Sequence, residues 1–227
     1  PFLILACQNG QNGQKEESMA AKDPDGPSQY VNNTDMIDHH SFANPQEART
    51  RHLDLDLTVD FNQKVLKGKA QWTIDNNKAQ QIIFDTRDLI IEKVTIGEGK
   101  EETEAEYTLS EPIRFMGQAL NVKIQPTTKV VTIHYQTQPG SAALDWLSPE
   151  QTGSKKHPFL YTQGQAILTR TWIPCQDSPG IRITYNARIK VPEALMAVMS
   201  ASNPQRKNEK GVYTFAMEQP IPPYLLA

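Results

Sequence analysis

Cysteine is scarce in this chain of 227 residues, with Cys7 and Cys175 the only two. A multi-bridge disulfide framework is therefore excluded. There is no basic run, and the net charge is −3, so a nucleic-acid partner is not expected. No H-E-x-x-H occurs, which removes the two-histidine zinc site with its glutamate base. No G-x-S-x-G elbow and no phosphate-cradling glycine loop is present. The five histidines, His39, His40, His52, His134 and His157, show no ligand spacing. No apolar run is long enough to cross a bilayer as a helix. What remains is 38% hydrophobic and 22% charged, with 16 prolines and 12 glycines. That composition suits one sizeable, turn-rich β core with a tail.

Period-two alternation supplies the strands. Leu53, Leu55, Leu57 and Val59 alternate with His52, Asp54, Asp56 and Thr58, and Ala70, Trp72 and Ile74 form a return strand. Further strands are expected at Gln81–Phe84, at Leu89–Ile96, and around Leu120–Ile124 and Val131–Tyr135. Asp145 to Gly153 breaks the rhythm, and Ser148-Pro149-Glu150 reads as a turn or short helix start. Thr162–Thr169 reads as strand again, followed by Ile181–Val191, the Leu195/Ala197/Met199 face and Val212–Met217. Pro220, Pro222 and Pro223 then stop regular structure. The expected fold is all-β: a mixed or antiparallel sandwich or saddle-shaped sheet.

The first residues, Pro1–Cys7 (PFLILAC), resemble the end of an apolar signal segment with a lipobox. On that reading Cys7 carries a lipid, and the protein is exported and held at a membrane on its periplasmic or cell-surface side. Residues 8–44 are polar and aperiodic and read as a flexible tether. The β domain is expected over 45–220, and 221–227 as the start of a link to a following domain. The other reading of the apolar start is a truncated reading frame.

The segment Tyr161–Arg182 (YTQGQAILTRTWIPCQDSPGIR) is unlike its surroundings. If it is extended, Gln163 and Gln165 share a face. Two carboxamides there suit a ligand with donors and acceptors, such as a peptide backbone or an ammonium terminus. Gly164 between them lets a backbone or ligand approach. Arg170 and Asp177 are placed for a charge-assisted bond holding the Pro174–Pro179 loop. Cys175 reads as a buried thiol, because no Cys–His signature accompanies it. The plainer reading is two exposed strand glutamines and a structural turn.

TQGQA followed by RTWIPCQDSP resembles the N-terminal domain of the M1 family of zinc aminopeptidases. Ala143–Pro158 (ALDWLSPEQTGSKKHP) and Pro220–Ala227 (PIPPYLLA) resemble its leukotriene hydrolase/aminopeptidase subgroup. The resemblance spans about 45–227. It implies that the zinc ligands and catalytic motifs lie in a following domain, outside this chain, so that this chain alone is inactive. It implies that Gln165 binds the α-amino group of a peptide substrate, that Gln163 lines the same pocket, and that the Ala166 backbone lies against the substrate. Gly164 departs from the bulkier residue common there. Arg170, Pro174, Cys175 and Asp177 match a structural motif of the family and carry no catalytic role. The subgroup resemblance also allows an additional epoxide hydrolase activity beside the peptidase. The rival function is a non-catalytic β-sandwich binding module on an anchored lipoprotein.

Overall fold

The computed structural model describes residues 38–227, and these form one compact unit. Cys7 and the expected tether up to residue 37 lie outside the described residues. The tether was expected to reach residue 44, but Ser41 and Phe42 are hydrogen-bonded to Asp85 (2.6 and 2.7 Å), so 38–44 belongs to the packed body.

Twelve strands follow in chain order: β1 Ala48–Asp60, β2 Val65–Asn76, β3 Gln81–Thr86, β4 Leu89–Ile96, β5 Thr103–Glu104, β6 Tyr107–Leu109, β7 Gln118–Lys123, β8 Val130–Thr137, β9 Leu144–Leu147, β10 Phe159–Thr162, β11 Ile183–Lys190 and β12 Val212–Ile221. Seven build one sheet in the order β12-β11-β1-β2-β8-β4-β5, three build a second as β3-β7-β6, and β9 pairs β10 alone. All pairings are antiparallel except β1 with β11, where Leu53 faces Tyr185 and Leu57 faces Ile189. The all-β, mixed-sheet class read from the sequence is the class found. No α-helix occurs among the described residues, and no helix there is long and apolar enough to cross a membrane.

The alternation has the expected cause. Leu53, Leu55 and Leu57 of β1, Ala70, Trp72 and Ile74 of β2, and Val131, Ile133 and Tyr135 of β8 are buried in one continuous core. Their neighbours Asp54, Asp56, Gln71 and His134 face away from it, as a half-buried sheet requires. Trp72 meets Phe84 of the three-stranded sheet with ring centroids 6.2 Å apart, which ties the two sheets together.

Three expectations about elements are corrected. Within the break expected at Asp145–Gly153, Asp145–Leu147 belongs to β9, paired residue for residue with β10; Pro149–Gln151 then forms the expected short helical turn, with Gln151 Oε1 accepting the N–H of its N-cap Ser148 (2.9 Å). Leu195, Ala197 and Met199 do not form a strand; they are the coil wall of an apolar cavity of about 370 Å³ that is also lined by Leu57, Trp172 and Ile189. The whole run Leu195–Met199 is apolar and irregular, and Met196 and Val198 line the same cavity beside Leu195, Ala197 and Met199. Pro220 does not end β12, which runs to Ile221. Proline is tolerated because β12 is an edge strand and its register with β11 is irregular there.

Candidate functional site

Gln163–Ala166 does not continue β10. Gln163 N–H still donates to Ala143 O (2.9 Å), the last rung of the β9–β10 ladder. The chain then turns: Leu168 N–H donates to Gly164 O (2.8 Å), and a 3-10 turn follows at Thr169–Thr171. The expected strand over Thr162–Thr169 is therefore overturned, and with it the shared strand face of Gln163 and Gln165. The sequence-level reason is Gly164, whose missing side chain lets the backbone fold onto its neighbours. A Cβ there would lie 2.5 Å from Thr169 Oγ1 and 3.0 Å from Tyr224 O. The pair has a different relation instead, in which Gln163 Oε1 accepts the backbone N–H of Gln165 (3.1 Å). Gln163, Gln165 and Ala166 are exposed, Gly164 is buried, and the Gln165–Ala166 peptide is cis. Among the described residues the Gln165 carboxamide makes no hydrogen bond, so its donors and its acceptor are available to a ligand.

Behind this turn lies a buried charge cluster. Arg170 is wholly buried. Its Nε donates to Asp177 Oδ2 (3.1 Å), its Nη1 to Met116 O (2.9 Å) and its Nη2 to His40 O (2.7 Å) and Asp177 O (3.1 Å). Asp177 Oδ2 also accepts the Arg170 backbone N–H (3.1 Å). The bond expected between Arg170 and Asp177 is thus present. The sequence reading missed a second carboxylate, Asp85, 3.7 Å from Arg170 Nη1. Asp85 accepts from Ser41 Oγ, Phe42 N–H and Asp177 N–H (2.6, 2.7 and 2.8 Å), and its backbone bridges to Cys175. The one available signal was an acid closing the apolar run Ile82–Phe84.

Two buried carboxylates thus share one guanidinium. Burial raises the Asp177 carboxyl to about 6 against the pull of Arg170, and it raises Asp85 in the same direction. Burial, with the Asp177 and Asp85 charges added, pushes the Cys175 thiol well up. The thiol stays protonated, which fits a structural role and not a nucleophile. Pro174 O accepts the indole N–H of Trp72 (3.0 Å). The Gln176 carboxamide accepts from Thr50 N–H (2.9 Å) and donates to Ala48 O (2.8 Å). That side chain stands in for a strand neighbour where β1 is bulged, before β11 begins to pair with it. Arg170, Pro174, Cys175 and Asp177 therefore come together as a framework, while Gln163–Ala166 is the exposed turn in front of it. No group of three His, Cys, Asp or Glu among the described residues is placed to hold a metal ion.

Residues 49–225 match the model of the Peptidase M1 N-terminal domain. The chain is 36% identical over 204 residues to leukotriene A-4 hydrolase of Xenopus laevis, covering 85% of this chain and 33% of that protein. To aminopeptidase B of Rattus norvegicus it is 33% identical over 183 residues, covering 78% of this chain and 27% of that one. Yeast LTA4 hydrolase in complex with bestatin superposes with a TM-score of 0.75 at 26% identity, over 86% of this chain and 30% of that chain. An M1 zinc metallopeptidase from Deinococcus radiodurans, bound to a Tyr-Ser-Ala substrate, superposes at 0.62 over 81% of this chain and 42% of that one; at 20% identity this likeness concerns the fold alone. The chain spans about a third of the length of the curated relatives it matches. With the matched span covering most of its residues and relatives above 30% identity, the chain belongs to the Peptidase M1 N-terminal domain family.

Proposed function

We propose that this chain is the substrate-contacting N-terminal domain of a zinc aminopeptidase, with Gln165 receiving the free α-amino group of a peptide. One observation carries the reading: Gln165 offers an unengaged carboxamide on an exposed turn whose backbone is pinned to a buried framework. A substrate ammonium leaving water needs an acceptor, and Oε1 of Gln165 is one. One lone pair of the Gln163 oxygen holds the turn, so Gln163 shapes the presentation of Gln165 and keeps a second lone pair and its amide donors for lining the same pocket. Zinc has no ligand set among the described residues. On this reading the metal and the base of peptide hydrolysis belong to the following catalytic domain.

In the full-length enzyme, Gln165→Ala is expected to lower kcat/KM toward peptides about tenfold to a hundredfold, the worth of a hydrogen bond to a charged group. Gln165→Glu keeps activity, because a carboxylate attracts the ammonium at least as well. Steady-state kinetics alongside thermal melts decide the matter: wild-type efficiency in Gln165→Ala removes the residue from the site. A lipid on Cys7 is the second part of the reading, supported by Ile4-Leu5-Ala6-Cys7 in the sequence alone. Acyl chains bind membranes by burying methylenes, so the precursor should enter the detergent phase and Cys7→Ser should leave it. Unchanged fractionation of that variant would end the lipoprotein reading.

A further inference from the structure

Gly164 is buried although the residues on either side of it in the turn, Gln163 and Gln165, are exposed. What covers it is Thr169 and the backbone of Tyr224, at 2.5 Å and 3.0–3.1 Å from where a Cβ would stand. Thr169 is itself buried, and its hydroxyl donates to Pro223 O (3.1 Å). Its backbone carbonyl accepts from Trp172 and Ile173 (3.0 and 2.9 Å), which fixes it to the 3-10 turn that carries Arg170. Thr169 thus touches three things at once: the rigid arginine framework, the underside of the Gln163–Ala166 turn, and the Pro223–Leu225 turn that follows β12.

We infer that Thr169 is a positioning residue for amine recognition: its hydroxyl clamps the Pro223–Leu225 turn against Gly164 and so fixes where the Gln165 carboxamide is presented. The inference rests on the amine-binding reading of Gln165. A hydroxyl is the group that fits. It is small enough to lie under a glycine, and it bonds a carbonyl that a methyl group would only touch. Pro223 O also accepts Leu226 N–H (2.9 Å), so removing the hydroxyl leaves no carbonyl unpaired and little folding cost. What is lost is the tie that holds the two turns in register. Sites misplaced in this way lose binding through residues that never touch the ligand.

The test is a double-mutant cycle in the full-length enzyme. Thr169→Val, nearly equal in volume, should melt close to wild type yet raise KM for peptides roughly threefold to tenfold with kcat little changed, since a neutral hydrogen bond is worth about that factor. Thr169→Ser should restore wild-type KM. In a Gln165→Ala background Thr169→Val should add nothing, because the group it positions is gone. A wild-type KM in Thr169→Val, with Gln165→Ala impaired, overturns the inference and leaves the amine-binding reading standing. Equal, additive losses in both backgrounds, or a fall in melting temperature with kcat and KM both impaired, make Thr169 merely structural and also overturn it. Wild-type kinetics in Gln165→Ala removes the amine-binding reading and the inference with it.

Discussion

Replacing Arg170 by methionine is expected to cost about 3–5 kcal/mol of folding stability, the usual penalty for removing one partner of a buried ion pair. The methionine fills the space but donates nothing. Two carboxylates, Asp85 and Asp177, are then buried without a cation, and Met116 O and His40 O each lose a donor. The pH dependence separates this from simple loss of packing. In the wild type the Asp177 carboxyl is raised to about 6 from 3.8, so the native state holds its proton more tightly than the unfolded chain. Such a group adds stability that is fully present below about pH 4 and is lost as pH rises through about 6. Without Arg170 both carboxyls are driven further up. The penalty should therefore be smaller near pH 5, where protons replace the cation, than near pH 7.5. Urea unfolding at the two pH values measures it. A loss below about 1 kcal/mol, or one independent of pH, would show that the cluster does not hold the motif together.

Trp72→Ala should cost about 3–5 kcal/mol as well, by a different route. The side chain is 1% exposed, meets Phe84 across the sheets, and donates its indole N–H to Pro174 O. Trp72→Phe separates the contributions. It keeps most of the ring volume but orphans the Pro174 carbonyl, so about 1–3 kcal/mol of loss is expected from that group alone. Denaturant midpoints for both variants give the split. A neutral phenylalanine variant would mean that the sheet holds the Pro174–Asp177 corner by packing only.

Much of the sheet was legible because burial on one face imposes period two, as Leu53–Val59 and Ile183–Ile189 display. The errors fall where that rule is imitated or suspended. Leu195, Ala197 and Met199 read as one strand face, but Met196 and Val198 between them are apolar too and line the same cavity, so the run is a continuous apolar coil and not a strand. Tyr161–Thr169 begins as a strand and ends as a turn, and the switch depends on a contact between Gly164 and Tyr224, sixty residues later in the chain. The Arg170–Asp177 bond was readable because its partners are close in sequence. Asp85 was not, because only the fold carries it across to Asp177. The framework of the motif was therefore half visible in the sequence, and the exposed turn it supports was visible by composition but not by geometry.

The parallel pairing of β1 with β11 has a consequence for how the chain is made. The two strands are joined in register across 132 residues, from His52 to Thr184. A ribosome adding about 5–20 residues per second leaves β1 without its outer neighbour for roughly 7 to 26 seconds. During that interval β1 and β2 can pair as a local hairpin, but the side of β1 that later receives β11 stays open to stray strands. The carboxylates of Asp54 and Asp56 along it give that waiting edge its protection from self-association until Asn186 and Arg188 arrive to meet them.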